Sequence, residues 1–140
     1  MTDYKIVREF VQADGADAIP RMHRMLHVDR SITDINIKDS TYHGWTALHH
    51  QSGHGTTGSV AWLLRQDPPP EVNARDSNQN TPLIYAVGSY KDLEGKVRLL
   101  LDHGADRDAK DKYGDSALDE ARRLNKHAVI DILLNYKPPI

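Results

Sequence analysis

Apolar positions in this chain fall into paired helical rhythms separated by polar stretches. In YKIVREFVQ, residues 4–12, Ile6, Val7, Phe10 and Val11 recur three and four apart, which lines up one face of a helix. Residues 19–28 predict a second helix. The next apolar groups are short segments headed by Thr or Ser, each followed by a leucine-rich run. Thr46-Ala47-Leu48-His49 returns as Thr81-Pro82-Leu83-Ile84 and as Ser116-Ala117-Leu118-Asp119, at steps of 35 residues. The runs Val60-Ala61-Trp62-Leu63-Leu64, Val97-Arg98-Leu99-Leu100-Leu101 and Val129-Ile130-Asp131-Ile132-Leu133-Leu134 follow in the same order. A fixed period of this length is the mark of a stacked repeat.

Each unit has a physical reading. A Thr or Ser before an apolar run caps a helix, because its hydroxyl accepts from a backbone N–H that the helix leaves unpaired. Pro82 falls at the first helical position, where a missing N–H costs nothing. Ser116 with Asp119 three residues on predicts a capping box. Gly55, Asn125 and Gly104 fall where helices end, and the left-handed conformation that ends many helices suits Gly and Asn. The unit is therefore helix, tight turn, longer helix and a polar extended loop.

These units resemble ankyrin repeats. Leu99 to Asp111, LLLDHGADRDAKD, follows the family pattern closely, and Asp111-Lys112-Tyr113-Gly114 supplies the start of another unit. The resemblance covers residues 36–136. It implies an all-α solenoid of about four helix-turn-helix repeats joined by β-hairpin-like loops, in one domain. The units are read as a divergent N-terminal capping repeat (1–38), two repeats (39–75 and 76–110) and a C-terminal capping repeat (111–136), with a short tail from Tyr136 to Ile140. The family period is about 33 residues, so each step carries extra residues, placed in the Pro68-Pro69-Pro70 loop and in the turn from Ser89 to Gly95. Two more are inserted between Asp39 and Gly44. Gln79 stands where Gly44 and Gly114 stand, which predicts an altered hairpin.

Composition narrows the function classes. The net charge of −2, without a basic run, provides no footprint for nucleic acid. No stretch approaches the apolar length that crosses a bilayer, and the N-terminus lacks the apolar core of a secretory signal. Cysteine is absent, so disulfides and thiolate metal sites are excluded. A cytoplasmic or nuclear protein, monomeric when free and needing no cofactor, is expected.

Histidine is the remaining candidate for chemistry. His50 and His54 share a helix face, as do His23 and His27, at a spacing used by zinc motifs. The glutamate that zinc peptidases need is replaced by Gln51 and by Arg24, no third ligand is near, and the pairs belong to different units. No metal ligand or catalytic residue is assigned, since a nucleophile elbow and a phosphate-cradling glycine loop are also missing.

The resemblance implies that His49 braces neighbouring repeats and that the hairpin tips with the inner helices form a recognition surface for another protein. Tyr42, His43, Trp45, Ser77, Asn78, Asn80, Tyr113 and Asp115 lie at the tips; His50, His54 and Arg123 lie on or beside the inner helices. Tyr and Trp are frequent interface anchors, so Trp45, on an otherwise polar loop, is read as a partner contact rather than cover for a neighbouring core. The function expected is a non-enzymatic interaction module, an adaptor or scaffold, or a small inhibitor or assembly chaperone. The alternative is a metal- or pH-responsive binder built on His43, His50 and His54.

Overall fold

Four helices start at capping hydroxyls, those of Thr46, Thr56, Thr81 and Ser116. The computed structural model describes residues 3–138; Met1, Thr2 and the end of the tail, Pro139 and Ile140, lie outside the described residues. Among the described residues are α1 (Tyr4–Val11), α2 (Ala18–His23), α3 (Ala47–His54), α4 (Thr57–Leu64), α5 (Pro82–Val87), α6 (Leu93–Asp102), α7 (Ala117–Arg123) and α8 (His127–Asn135). A wider-wound turn, Arg24–Val28, continues α2. Thr46, Thr81 and Ser116 each accept from the N–H three residues on, and α3, α5 and α7 begin immediately after them. The Ser116 N–H donates in return to the Asp119 carboxylate at 2.9 Å, completing the predicted capping box.

The helices form two rows. The odd-numbered helices contact one another in sequence as an inner row, α1 on α3, α3 on α5 and α5 on α7. The even-numbered ones form the outer row, α2 on α4, α4 on α6 and α6 on α8. A continuous apolar core runs between the rows, from Phe10 and Met22 through Leu48, Leu63, Leu83 and Leu100 to Ala121 and Leu133. Each unit therefore buries its apolar face against a neighbour, which is how a solenoid acquires its stability.

Polar ladders repeat at the same step. Asn36 Oδ1 accepts from Glu71 N at 2.7 Å, and Asn73 Oδ1 from Asp106 N at 2.8 Å. Lys38 Nζ reaches the Arg75 carbonyl at 2.7 Å, and Arg75 Nη1 reaches the Lys110 carbonyl. The tips join directly as well: Ser77 N donates to the His43 carbonyl at 2.8 Å, and Lys112 N to the Asn78 carbonyl at 3.0 Å.

Two backbone expectations need correction. Gly55 was expected to end α3 in the left-handed region, but it has φ −89° and ψ −171°. It passes tightly between side chains instead: an added Cβ would lie 2.3 Å from Gln51 Oε1 and 2.5 Å from Ser59 Oγ. Glycine is needed there for space. Gln79 was expected to alter its hairpin, yet it has φ +64°, close to Gly44 at +68° and Gly114 at +84°. The closing bonds of its tip, Asp76 N to Asn80 O and Gln79 N to Asp76 O, match those of Asp111 to Asp115. Gln79 has taken the glycine conformation, at a strain of about 1–2 kcal/mol for a residue with a Cβ. Gly104, at φ +93°, and Asn125, at +56°, do end their helices in the left-handed region.

Lys96 is fully buried on α6. Its Nζ donates to the Gly55 carbonyl at 2.9 Å and to Ser89 Oγ at 2.7 Å, fastening the α3–α4 turn to the α5–α6 turn. Burial pushes its pKa down to about 8.

Candidate functional site

An aspartate organises each tip. The Asp76 carboxylate accepts from the backbone N–H of Asn78 and of Asn80, both at 2.9 Å. Asp111 does the same for Tyr113 and Asp115 at 2.9 and 3.0 Å. In the longer first tip, Asp39 N pairs with the Trp45 carbonyl at 2.8 Å, so the two inserted residues bulge around Tyr42 and His43. Such turns, in which a short acidic side chain replaces a backbone acceptor, hold a loop in one shape.

The structure corrects the reading of Trp45. Its side chain is not an exposed loop aromatic; the residue is 6% exposed. Its indole N–H donates to Asp76 Oδ2 at 3.1 Å and to the Tyr85 hydroxyl at 3.0 Å, and Tyr85 in turn donates to the same carboxylate oxygen. Tyr42 meets the indole edge-on at 5.1 Å between ring centres, and Tyr85 at 4.9 Å. Trp45 therefore covers the core between its own unit and the next. Burial and the Asp76 carboxylate push the Tyr85 pKa up to about 12, so its hydroxyl keeps the proton it donates.

His50 also differs from its predicted place beside the inner face. It is buried, packed between Trp45 and the chain before α2, with Nε2 3.4 Å from Asp14 Oδ1 and Nδ1 without a partner among the described residues. Burial holds its pKa below the ordinary 6.5 against the pull of Asp14. His54, one turn along, is exposed. The two rings lie 5.1 Å apart, and among the described residues no three His, Asp or Glu side chains gather as a ligand set.

His49 takes the bracing position that the resemblance implies. It is fully buried; Nδ1 accepts from Thr46 N at 3.1 Å, which puts the ring proton on Nε2, directed at the Asn80 carbonyl at 3.0 Å. One ring thus caps its own helix and holds the next tip. Burial lowers its pKa, more than the Asn80 carbonyl and Asp76 raise it.

Between the tips and the inner row lies a groove of about 540 Å³ that takes in residues of three successive units. It brings together the largely buried Trp45 and His54, Asn80, Tyr113, Asp115 and Arg123 from the predicted surface. Tyr42, His43, Ser77 and Asn78 lie outside it, on the first two tips. Tyr85, Ile84, Asp111 and Glu120 also line the groove and were missed. The repeat step would have found two of them, because His50, Tyr85 and Glu120 are 35 residues apart, as are Gly53, Gly88 and Arg123. Small residues at the second register leave the floor open until Arg123 closes it. There Arg123 forks onto Glu120, with contacts of 3.2 and 2.5 Å.

Comparison with known proteins agrees with this architecture. A family model described as ankyrin repeats (many copies) matches residues 63–121. The chain is 28% identical over 92 residues to the serine/threonine-protein kinase VIK of Arabidopsis thaliana, covering 65% of this chain and 20% of that protein. It is 37% identical over 91 residues to a transient receptor potential cation channel subfamily A member 1 homolog of Caenorhabditis elegans, covering 65% of this chain and 7% of the channel. The chain thus spans a fifth or less of these relatives. No helix among the described residues is long and apolar enough to cross a membrane. Ankyrin repeats form a non-catalytic fold whose general use is binding other proteins, and residues 63–121, within the row of stacked helix pairs and braced tips, match that family.

Proposed function

We propose that the chain is a non-enzymatic interaction module, an adaptor or scaffold or a small inhibitor or assembly chaperone, that presents its tips and inner-helix groove to a protein partner. The observation that carries this reading is the convergence of Trp45, His54, Asn80, Tyr113, Asp115 and Arg123, distant in sequence, on one open groove. The mechanism is rigid presentation. Tip-to-tip hydrogen bonds and the His49 brace order the surface before a partner arrives, so little conformational entropy is lost on binding.

The test is differential capture. Tyr113 and Arg123 are exposed and Arg98, on the outer row, serves as control. Proteins retained from a native lysate by the wild-type chain and by Arg98→Ala, but lost from Tyr113→Ala/Arg123→Ala, are the expected result. Retention that never depends on the groove variants overturns the assignment of this surface.

A further inference from the structure

The charge beneath and around the groove is unbalanced in one direction. Asp76 is 3% exposed and forms no ion pair among the described residues. Its four donors are the Trp45 indole, the Tyr85 hydroxyl and the Asn78 and Asn80 amides, all neutral. Its counterpart in the preceding tip, Asp39, is equally buried but has the Arg8 guanidinium at 3.7 Å. Trp45, Tyr85 and Asn80, which hold Asp76, are also lining residues of the groove. A buried carboxylate without a counter-cation therefore lies directly below the groove floor, where low polarizability leaves its field weakly screened.

The rim adds to this field. Asp111, Asp115 and Glu120 line the groove against one guanidinium, Arg123, whose fork is engaged by Glu120. The Asp115 carboxylate meets no donor among the described residues. Three aromatic residues line it: Trp45, Tyr85 and, on the third tip, Tyr113. Tyr113 already draws a cation, with Lys112 Nζ 5.1 Å from its ring centre. The Asp115 carboxylate, without a donor among the described residues, beside aromatic faces complements a flat, weakly hydrated cation better than a compact, strongly hydrated one.

We infer that the groove receives a cationic side chain of the protein partner, arginine above lysine, together with the chain that flanks it. The guanidinium stacks against the Tyr113 and Tyr85 rings and pairs with Asp115, over the field of Asp76. This inference rests on the interaction-module reading and narrows it to a partner chemistry.

The experiment selects displayed random peptides on the intact protein and titrates synthetic copies of those recovered. Each is compared with versions carrying lysine or citrulline, the neutral isostere of arginine, in place of each arginine. Asp115→Asn and Tyr113→Ala alter exposed side chains outside the core, and circular dichroism confirms their folding. The expected result is arginine in the selected peptides, loss of about tenfold in affinity with citrulline, a smaller loss with lysine, and weakening by Asp115→Asn and by added salt. Peptides that lose binding to Tyr113→Ala but bind equally well with citrulline overturn the cation inference and leave the interaction reading standing. Selection that yields only peptides indifferent to the groove variants, or none at all, overturns both.

Discussion

Replacing Trp45 by alanine separates a core residue from an exposed contact. The side chain is nearly sealed, and truncating a large aromatic in a core costs about 3–5 kcal/mol. The variant also removes one of four donors to the buried Asp76 carboxylate and one donor to the Tyr85 hydroxyl. A buried polar group left short of a partner adds about 1–3 kcal/mol. The two combine to about 4–8 kcal/mol, and partial compensation by Tyr85, which keeps its own bond to Asp76, puts the expected loss in the lower half, at about 4–6 kcal/mol. That is a large share of the roughly 5–15 kcal/mol that holds a domain together. Trp45→Phe retains most of the ring and loses only the indole N–H, so it is expected to cost about 1–3 kcal/mol. Urea unfolding followed by far-ultraviolet circular dichroism measures both; fluorescence is a poor probe because Trp45 is one of two tryptophans. A loss below about 1 kcal/mol for Trp45→Ala, the range of an ordinary surface change, would refute the burial argument.

Three other outcomes follow from the same geometry. His49 and His50 are both held below 6.5 by burial, so the unfolded chain takes up their protons first as the pH falls. Their contribution is complete above pH 6.5 and is lost below it, by at most about 1.4 kcal/mol per pH unit for each ring; His49→Gln/His50→Gln should flatten the acid limb of a stability–pH curve, and an unchanged slope contradicts the assignment. Lys96 works in the other direction: the folded protein releases its proton near pH 8 and the unfolded chain near 10.5, so unfolding stability rises as the pH climbs through that interval. The Lys96→Met variant should lack the rise seen in urea unfolding of the wild type. Gln79→Gly should stabilise by about 0.5–1 kcal/mol, since it relieves a left-handed residue while giving the unfolded chain more freedom; a lower unfolding midpoint would show that the Gln79 side chain contributes more than its backbone strain costs.

The legible part of the candidate site was its register. Tip residues such as Tyr113 and Asp115 follow from their place before Ser116, and Arg123 from its place on the third inner helix. His49 was legible because its role is local at one end, capping the helix it sits in, and periodic at the other, reaching the next tip. Depth was not legible. Trp45 and His50 occupy surface-like positions in one unit and become buried only because Tyr85, Tyr42 and the segment around Asp14 close over them. Those contacts join residues 36 and 40 apart, or lie within an inserted bulge whose path no periodic pattern describes.

By itself the sequence determined the repeat, the helix pairs and their caps, because these depend on spacing within one unit and on hydroxyls placed next to the helices they start. Tertiary structure alone decided which polar residues lost their water. Asp76, Lys96 and His50 look like ordinary surface residues in the sequence, and the stacking of neighbouring units buried all three. It also decided where the surface stays open: small residues at Gly53 and Gly88, set one step apart, leave a groove only when α3 and α5 lie side by side. Spacing along the chain sets which face a residue takes, while burial and charge balance depend on what another unit brings against that face.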